Sequence, residues 1–226
     1  MTKPAIIPGG DLKLRRAMFV LELVDPVTNR PVGASFEARA KGLRPPGLTQ
    51  AGQLVWIDVD PPAQRDVAIS ARALAGDYAP WDTVQTVAKR IKDQPPTLIR
   101  HNLQPTGAYR PPDGRIAAAG MLIDDKTVRA PIAGATVLLV LDSDTLGAEM
   151  RSSLAAVTDA RGGFVAAGVG FADRVPRPAS RPAPDSAVKG RVEVTWQGNT
   201  RSRPVTLRAA QTNYLADPLI WGEPNL

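Results

Sequence analysis

The chain contains no cysteine among its 226 residues, which excludes a disulfide framework and any thiolate metal site. Histidine is nearly absent too, with His101 alone. Zinc catalysis needs several histidine or carboxylate ligands converging on one ion, so a metallopeptidase and any histidine-rich hydrolase site are excluded. A Ser-His-Asp triad would have to recruit His101, yet no Gly-x-Ser-x-Gly elbow is written, and neither is a Walker or dinucleotide glycine pattern. A surface or sheet edge is the expected place for His101. Apolar runs are short: the longest, Ala17 to Val24 and Ala130 to Val140, fall below the ~20 residues of a membrane helix. The first residues offer only Ala5-Ile6-Ile7 before Pro8-Gly9-Gly10, too little for the apolar core of a secretory signal. That predicts a cytoplasmic protein, one that a released particle could incorporate. No run of five like charges occurs either. Lys and Arg outnumber Asp and Glu by 28 to 22, unevenly: residues 1–110 carry 15 basic and 10 acidic side chains, residues 111–226 carry 13 and 12. Such an excess would suit an acidic partner or nucleic acid, but no nucleic-acid motif accompanies it and a solvated surface is the simpler reading.

Turn residues, by contrast, are abundant. Proline (22) and glycine (19) make up about 18% of the chain, against ~12% usually, as many short strands joined by many turns would require. The stretch from Arg115 to Phe171 spells this out: apolar strand, polar turn ending in Pro131 and Gly134, apolar strand, loop, strand, a Thr-Asp-Ala-Arg-Gly-Gly turn, apolar strand. An earlier stretch repeats it. Leu23 to Arg39 aligns with Leu122 to Val140, and Leu48 to Val59 with Val157 to Val169, with one residue inserted before Pro131. The expected architecture is therefore all-β, two tandem antiparallel sandwiches of about 100 residues each, enough for two cores.

The predicted boundaries are a leader at 1–12, a first, divergent sandwich at 13–103, a linker at 104–114, a second sandwich at 115–210 and an apolar tail at 211–226. The linker QPTGAYRPPDG holds three prolines and two glycines without an apolar period. Strands are expected near 13–24, 34–40, 53–59, 66–74, 81–92 and 97–103, then 115–123, 134–142, 152–158, 163–171, 188–196 and 201–208. Both alternating sets of the first are apolar, which predicts a central strand. The Pro- and Arg-rich loop 173–187 should be disordered, with trypsin cutting first between Arg174 and Arg181.

The second copy shows Asp124, Thr127, Pro131, Gly134, Ala135, Thr158, Asp159, Gly162 and Phe164; the first keeps Asp25, Thr28, Pro31, Gly33, Ala34, Thr49, Gly52 and Leu54, with Gln50 in place of the second aspartate. This pattern resembles the carboxypeptidase regulatory-like family, a transthyretin-like seven-stranded sandwich appended to many unrelated proteins. The resemblance covers about 190 residues, and its motifs specify turns, not chemistry. It implies a non-catalytic role without a cofactor: a structural or adaptor subunit held by contacts with other proteins of an assembly, such as a phage-tail-like or contractile injection machine. The alternative is a ligand-binding module, with a glycan as its ligand.

Few residues offer themselves as sites. Asp142, Asp144, Gly147 and Glu149 resemble the start of a calcium loop, but Leu146 and Ser153 stand where an EF-hand needs oxygen ligands; a polar hairpin loop is expected, and no metal. Trp56 and Trp81 are the candidates for stacking on a sugar. Trp56 could face inward beside Leu54, as the family alignment has it, or outward if Val55, Ile57 and Val59 form the buried set. Trp196 alternates with Val192 and Val194 and belongs to the core. The tail carries Tyr214, Leu215, Leu219, Ile220 and Trp221, so apolar a set that it must cover something: its own sandwich, or a neighbouring subunit as a docking arm.

Overall fold

The structure, a computed structural model, describes residues 16–58, 64–88, 95–142, 149–152, 155–167 and 186–223. The leader 1–12 and the loop between Arg174 and Arg181, with its expected tryptic site, lie outside the described residues. The fold is all-β. Among the described residues the only helical element is one 3-10 turn, Gly33–Ser35.

In the first half, β1 (Arg16–Val24), β3 (Gly47–Leu48), β4 (Leu54–Asp58) and β7 (Thr97–Asn102) form one sheet in the order β3-β4-β1-β7. Facing it, β2 (Phe36–Ala40), β5 (Arg65–Ala73) and β6 (Trp81–Val87) form a second sheet in the order β2-β5-β6. Strand β1 lies between β4 and β7, the central position its two apolar faces predict. Alternate side chains of both sheets meet in one core, with Phe19, Leu21 and Leu23 from β1 and Val67, Ile69 and Ala71 from β5. This is the period-two burial of a sandwich.

The second half repeats the pairing. Its strands are β8 (Ala117–Ile123), β9 (Thr136–Leu141), β10 (Met150–Arg151), β11 (Ala156–Val157), β12 (Gly163–Ala167), β13 (Ala187–Trp196), β14 (Asn199–Arg208), β15 (Thr212–Tyr214) and β16 (Leu219–Ile220). As β1 pairs antiparallel with β4 and parallel with β7, so β8 pairs antiparallel with β12 and parallel with β15 and β16. As β5 joins β2 to β6, so β13 joins β9 to β14. The hairpin between β13 and β14 turns on Gln197 and Gly198, both with positive φ, the geometry that matches strand twist in a two-residue turn. The two sheets close on Val137, Leu139, Val192, Leu207, Leu122 and Phe164.

Backbone bonding shifts the alignment of the copies. The Asp25 carboxylate accepts the N–H groups of Val27 and Thr28, both at 2.7 Å, and the Asn29 N–H bonds the Asp25 carbonyl. In the second copy Asp125, not Asp124, accepts the Thr127 N–H, and the Arg129 N–H bonds the Asp125 carbonyl. The inserted residue is thus Asp124, and the insertion lies at the start of the turn, not directly before Pro131. Likewise Thr49 stands opposite Asp159. Its hydroxyl accepts the Gln53 N–H at 3.0 Å, as the Asp159 carboxylate accepts the Gly163 N–H at 2.9 Å. The first copy replaces the aspartate by threonine, and Gln50 plays no part in the comparison.

The segment between the halves is a packed joint. Leu103, Pro105, Thr106 and Tyr109 are buried. Its backbone is bonded on both sides, Ala79 N–H to the Gln104 carbonyl and Val157 N–H to the Pro105 carbonyl, each at 2.8 Å. Beyond it, Ala117 and Ala119 of β8 and Val165 and Ala167 of β12 turn away from their own sandwich into the core of the first half. Where these four residues lie, the sheet built on β8 is therefore covered on both faces.

Candidate functional site

Two tyrosines and one aspartate lock the joint. The Tyr78 and Tyr109 hydroxyls donate to one oxygen of buried Asp25 at 2.5 and 2.8 Å, while its other oxygen holds the turn N–H groups. Burial opposes ionisation of Asp25, but the bonds from Tyr78, Thr28, Tyr109 and Val27 prevail and hold its carboxyl below the usual carboxylate range. Burial, together with the Asp25 charge, pushes both phenols well above their ordinary value. Tyr78 and Tyr109 rings lie 5.4 Å apart. The arrangement is enclosed and its donors are matched to acceptors, which makes it a structural bolt.

Beside the bolt, the part of the β8 sheet that the first half leaves uncovered forms the floor of a groove of about 900 Å³. Ala119, Met121, Val165, Tyr214 and Leu215 give it an apolar surface. Tyr214 is 82% exposed and Met121 49%. Around the rim stand three exposed arginines: Arg110 from the joint, Arg129 from the turn after β8 and Arg161 from the turn before β12. None of the three guanidinium groups has a hydrogen-bond or ion-pair partner among the described residues. The one carboxylate among its lining residues, Asp159, accepts the Arg161 and Gly163 N–H groups of its own turn on a single oxygen, Oδ1.

A second groove, also about 900 Å³, lies along the face of the β2-β5-β6 sheet. Its charges are of mixed sign: Glu37 is paired with Arg39 at 2.5 Å, and Asp82 with Arg72 at 2.7 Å. Lys41 and Arg44 also line it, so what sets the joint groove apart is an apolar floor ringed by three arginines with no acidic side chain among the described residues paired to them.

The sequence candidates take different places. Trp56 is 1% exposed and stacks on Phe19 at 4.7 Å; it faces inward, and its outward stacking on a ligand is corrected by that burial. Trp81 stacks on His101 at 4.4 Å, so one ring face is taken by a neighbour. His101 itself lies on β7, an edge strand, and burial lowers its pKa. Trp196 packs half-buried against the second core, edge-on to Trp221. Of the calcium candidates, Asp142 and Glu149 both face Arg191, at 3.8 and 3.3 Å, while Asp144 and Gly147 lie outside the described residues. Arg191 and Arg151 flank Val140 across the ladder. Their stems cover it, and Val140 has no exposure although it points away from the core.

The tail folds in cis. Leu219 and Ile220 are buried as β16, Leu215 packs against the second core, and the Trp221 ring carries the Arg201 guanidinium at 5.0 Å. Arg201 also donates to the Trp221 and Glu223 carbonyls, and Arg203 to that of Pro218. The docking-arm expectation for Leu215, Leu219, Ile220 and Trp221 is thereby corrected, because parallel pairing with β8 consumes the segment. Tyr214 alone stands free, and it stands in the groove. Sequence reasoning did not find the groove, since its arginines come from the joint and from two separate turns.

Neither the comparison with protein-family models nor that with curated proteins finds a match. Among solved structures, the crystal structure of BcpA, the major pilin subunit of Bacillus cereus, is similar at 13% identity with a TM-score of 0.23. The match covers 72% of this chain and 41% of that one, so the chain spans about two fifths of that pilin's length.

Proposed function

We propose that this chain is a non-catalytic structural or adaptor subunit of a larger protein assembly, with the joint groove as its contact site. The observation that supports the reading is the joint: Ala117, Ala119, Val165 and Ala167 of the β8 sheet buried in the first half, the connecting segment bolted by Asp25, Tyr78 and Tyr109, and an open apolar groove beside it. A part that spaces or aligns others must resist bending, and shared burial supplies that resistance. A contact site needs exposed apolar anchors with a polar rim, and Met121 and Tyr214 ringed by arginines supply them.

The test is cross-linking in the source cells, followed by sizing and mass spectrometry. The expected result is recovery of the chain in a high-mass species, with a fixed ratio to one partner whose cross-links map to residues around the groove. A ring or sheath protein as that partner would identify an injection machine. Recovery as a monomer throughout, with no reproducible partner, would sink the proposal.

A further inference from the structure

Resting on the adaptor reading, we infer that the joint groove takes an extended acidic segment of its protein partner, carboxylates on Arg110, Arg129 and Arg161 and an apolar side chain on Met121 and Tyr214. Three guanidinium groups border one groove without a partner among the described residues, against a single lining carboxylate, Asp159, which bonds the N–H groups of its own turn through Oδ1 and pairs with none of the three. Arginine presents a planar fork suited to carboxylates. A second copy of this chain is a poor occupant, because its own net charge is +6. A nucleic-acid strand is less well matched too, since Tyr214 is the one exposed aromatic ring for bases to stack on.

The backbone adds an independent observation. Arg129 has φ of 53°, a left-handed conformation in which asparagine is far better tolerated than arginine. The matching position of the first half, Asn29 at φ 56°, holds the residue that suits the turn. Opposite Arg161 the first half has Ala51. Both turns thus form without arginine, and the two side chains at the groove are additions to the scaffold.

Fluorescence anisotropy with the full chain tests this, using a labelled peptide of alternating aspartate and leucine of ~10 residues, long enough at ~3.3 Å per residue to cross the groove. The expected result is saturable, salt-sensitive binding that weakens about threefold for Arg129→Asn and for Arg161→Ala, and about tenfold for the pair. Arg129→Asn should leave the melting temperature unchanged or higher, which separates lost contact from lost fold. Met121→Asp should abolish binding while the chain still melts cooperatively. Equal binding of an asparagine-leucine peptide, indifference to the paired substitution, or displacement of the peptide by oligothymidylate at lower concentration than by unlabelled peptide would each overturn the inference. Failure of the peptide while a partner still cross-links to the chain away from the groove would overturn the groove's assignment and leave the adaptor reading standing.

Discussion

Raising the pH should dismantle the bolt at the joint in a countable way. In the unfolded chain Tyr78 and Tyr109 ionise near the ordinary phenol pKa of about 10, whereas in the folded protein burial and the Asp25 carboxylate hold both phenols protonated well beyond that. The sign follows from linkage: folded values raised above unfolded ones mean stability fully present below pH ~10 and lost as the pH rises. Each phenol that ionises only on unfolding contributes a slope of about 1.36 kcal/mol per pH unit, so two give about 2.7. The integrated loss is about 3 kcal/mol at pH ~11 and about 4 at pH ~11.5, a large part of the 5–15 kcal/mol typical of a folded domain. Denaturant midpoints measured at closely spaced pH values would give the slope. The double variant Tyr78→Phe/Tyr109→Phe should lower stability at neutral pH and flatten the alkaline limb by the two-proton amount. Phenolate absorbance, taken as the difference between the wild type and that double variant, should rise together with the unfolding signal. If that difference rises at pH ~10 while the fold persists, the bolt is not closed as described. A slope unchanged in the double variant would refute the reasoning just as directly.

Gly107→Ala should destabilise the joint, because the added methyl would lie 2.6 Å from the Asp159 carboxylate and from the Gly163 carbonyl carbon; overpacking of this kind costs about 1–3 kcal/mol, read as a fall of several degrees in Tm. Residues 115–226 alone should melt cooperatively but at lower temperature than the full chain, since Ala117, Ala119, Val165 and Ala167 lose their cover; an unchanged Tm would show that the shared face contributes nothing. Deleting residues 211–226 removes β15, β16 and the fully buried Leu219, and a Tm within a degree of the parent's would contradict the cis packing.

The strands were legible wherever a side-chain period of two ran for five residues or more, as in β5, β13 and β14. They were not legible in β15 and β16, three and two residues long and separated by Pro218. Such segments have no pattern of their own and become strands only because β8 offers them a parallel partner. Trp56 shows a different limit. Both faces of β4 carry apolar residues, so alternation alone could not choose between Trp56 and Ile57; the choice was made by Phe19, which stacks on Trp56 from β1 and leaves Ile57 51% exposed. The repeat, for its part, was visible from its prolines and glycines, but its register was not. Asp124 and Asp125 are adjacent and chemically alike, and only the Thr127 N–H reveals which of them caps the turn.

The joint was hidden for a physical reason. Proline and glycine in residues 104–114 forbid an apolar period, and periodicity is what marks a core in a sequence. Tyr109 enters the core as a single side chain from an irregular backbone, and its hydroxyl meets an aspartate 84 positions earlier. Nothing local announces that meeting. Its consequence is that the stretch that composition marks as a connector is packed and bonded into both halves, while the groove beside it borrows one arginine from that stretch and two from turns of the second half. Loosening the bolt should therefore loosen the groove: Tyr109→Phe, which removes one hydroxyl and no groove residue's charge, is expected to weaken the aspartate-leucine peptide by moving Arg110 relative to Arg129 and Arg161. Equal peptide affinity in Tyr109→Phe, with its Tm lowered, would show that the groove is built by the second half alone.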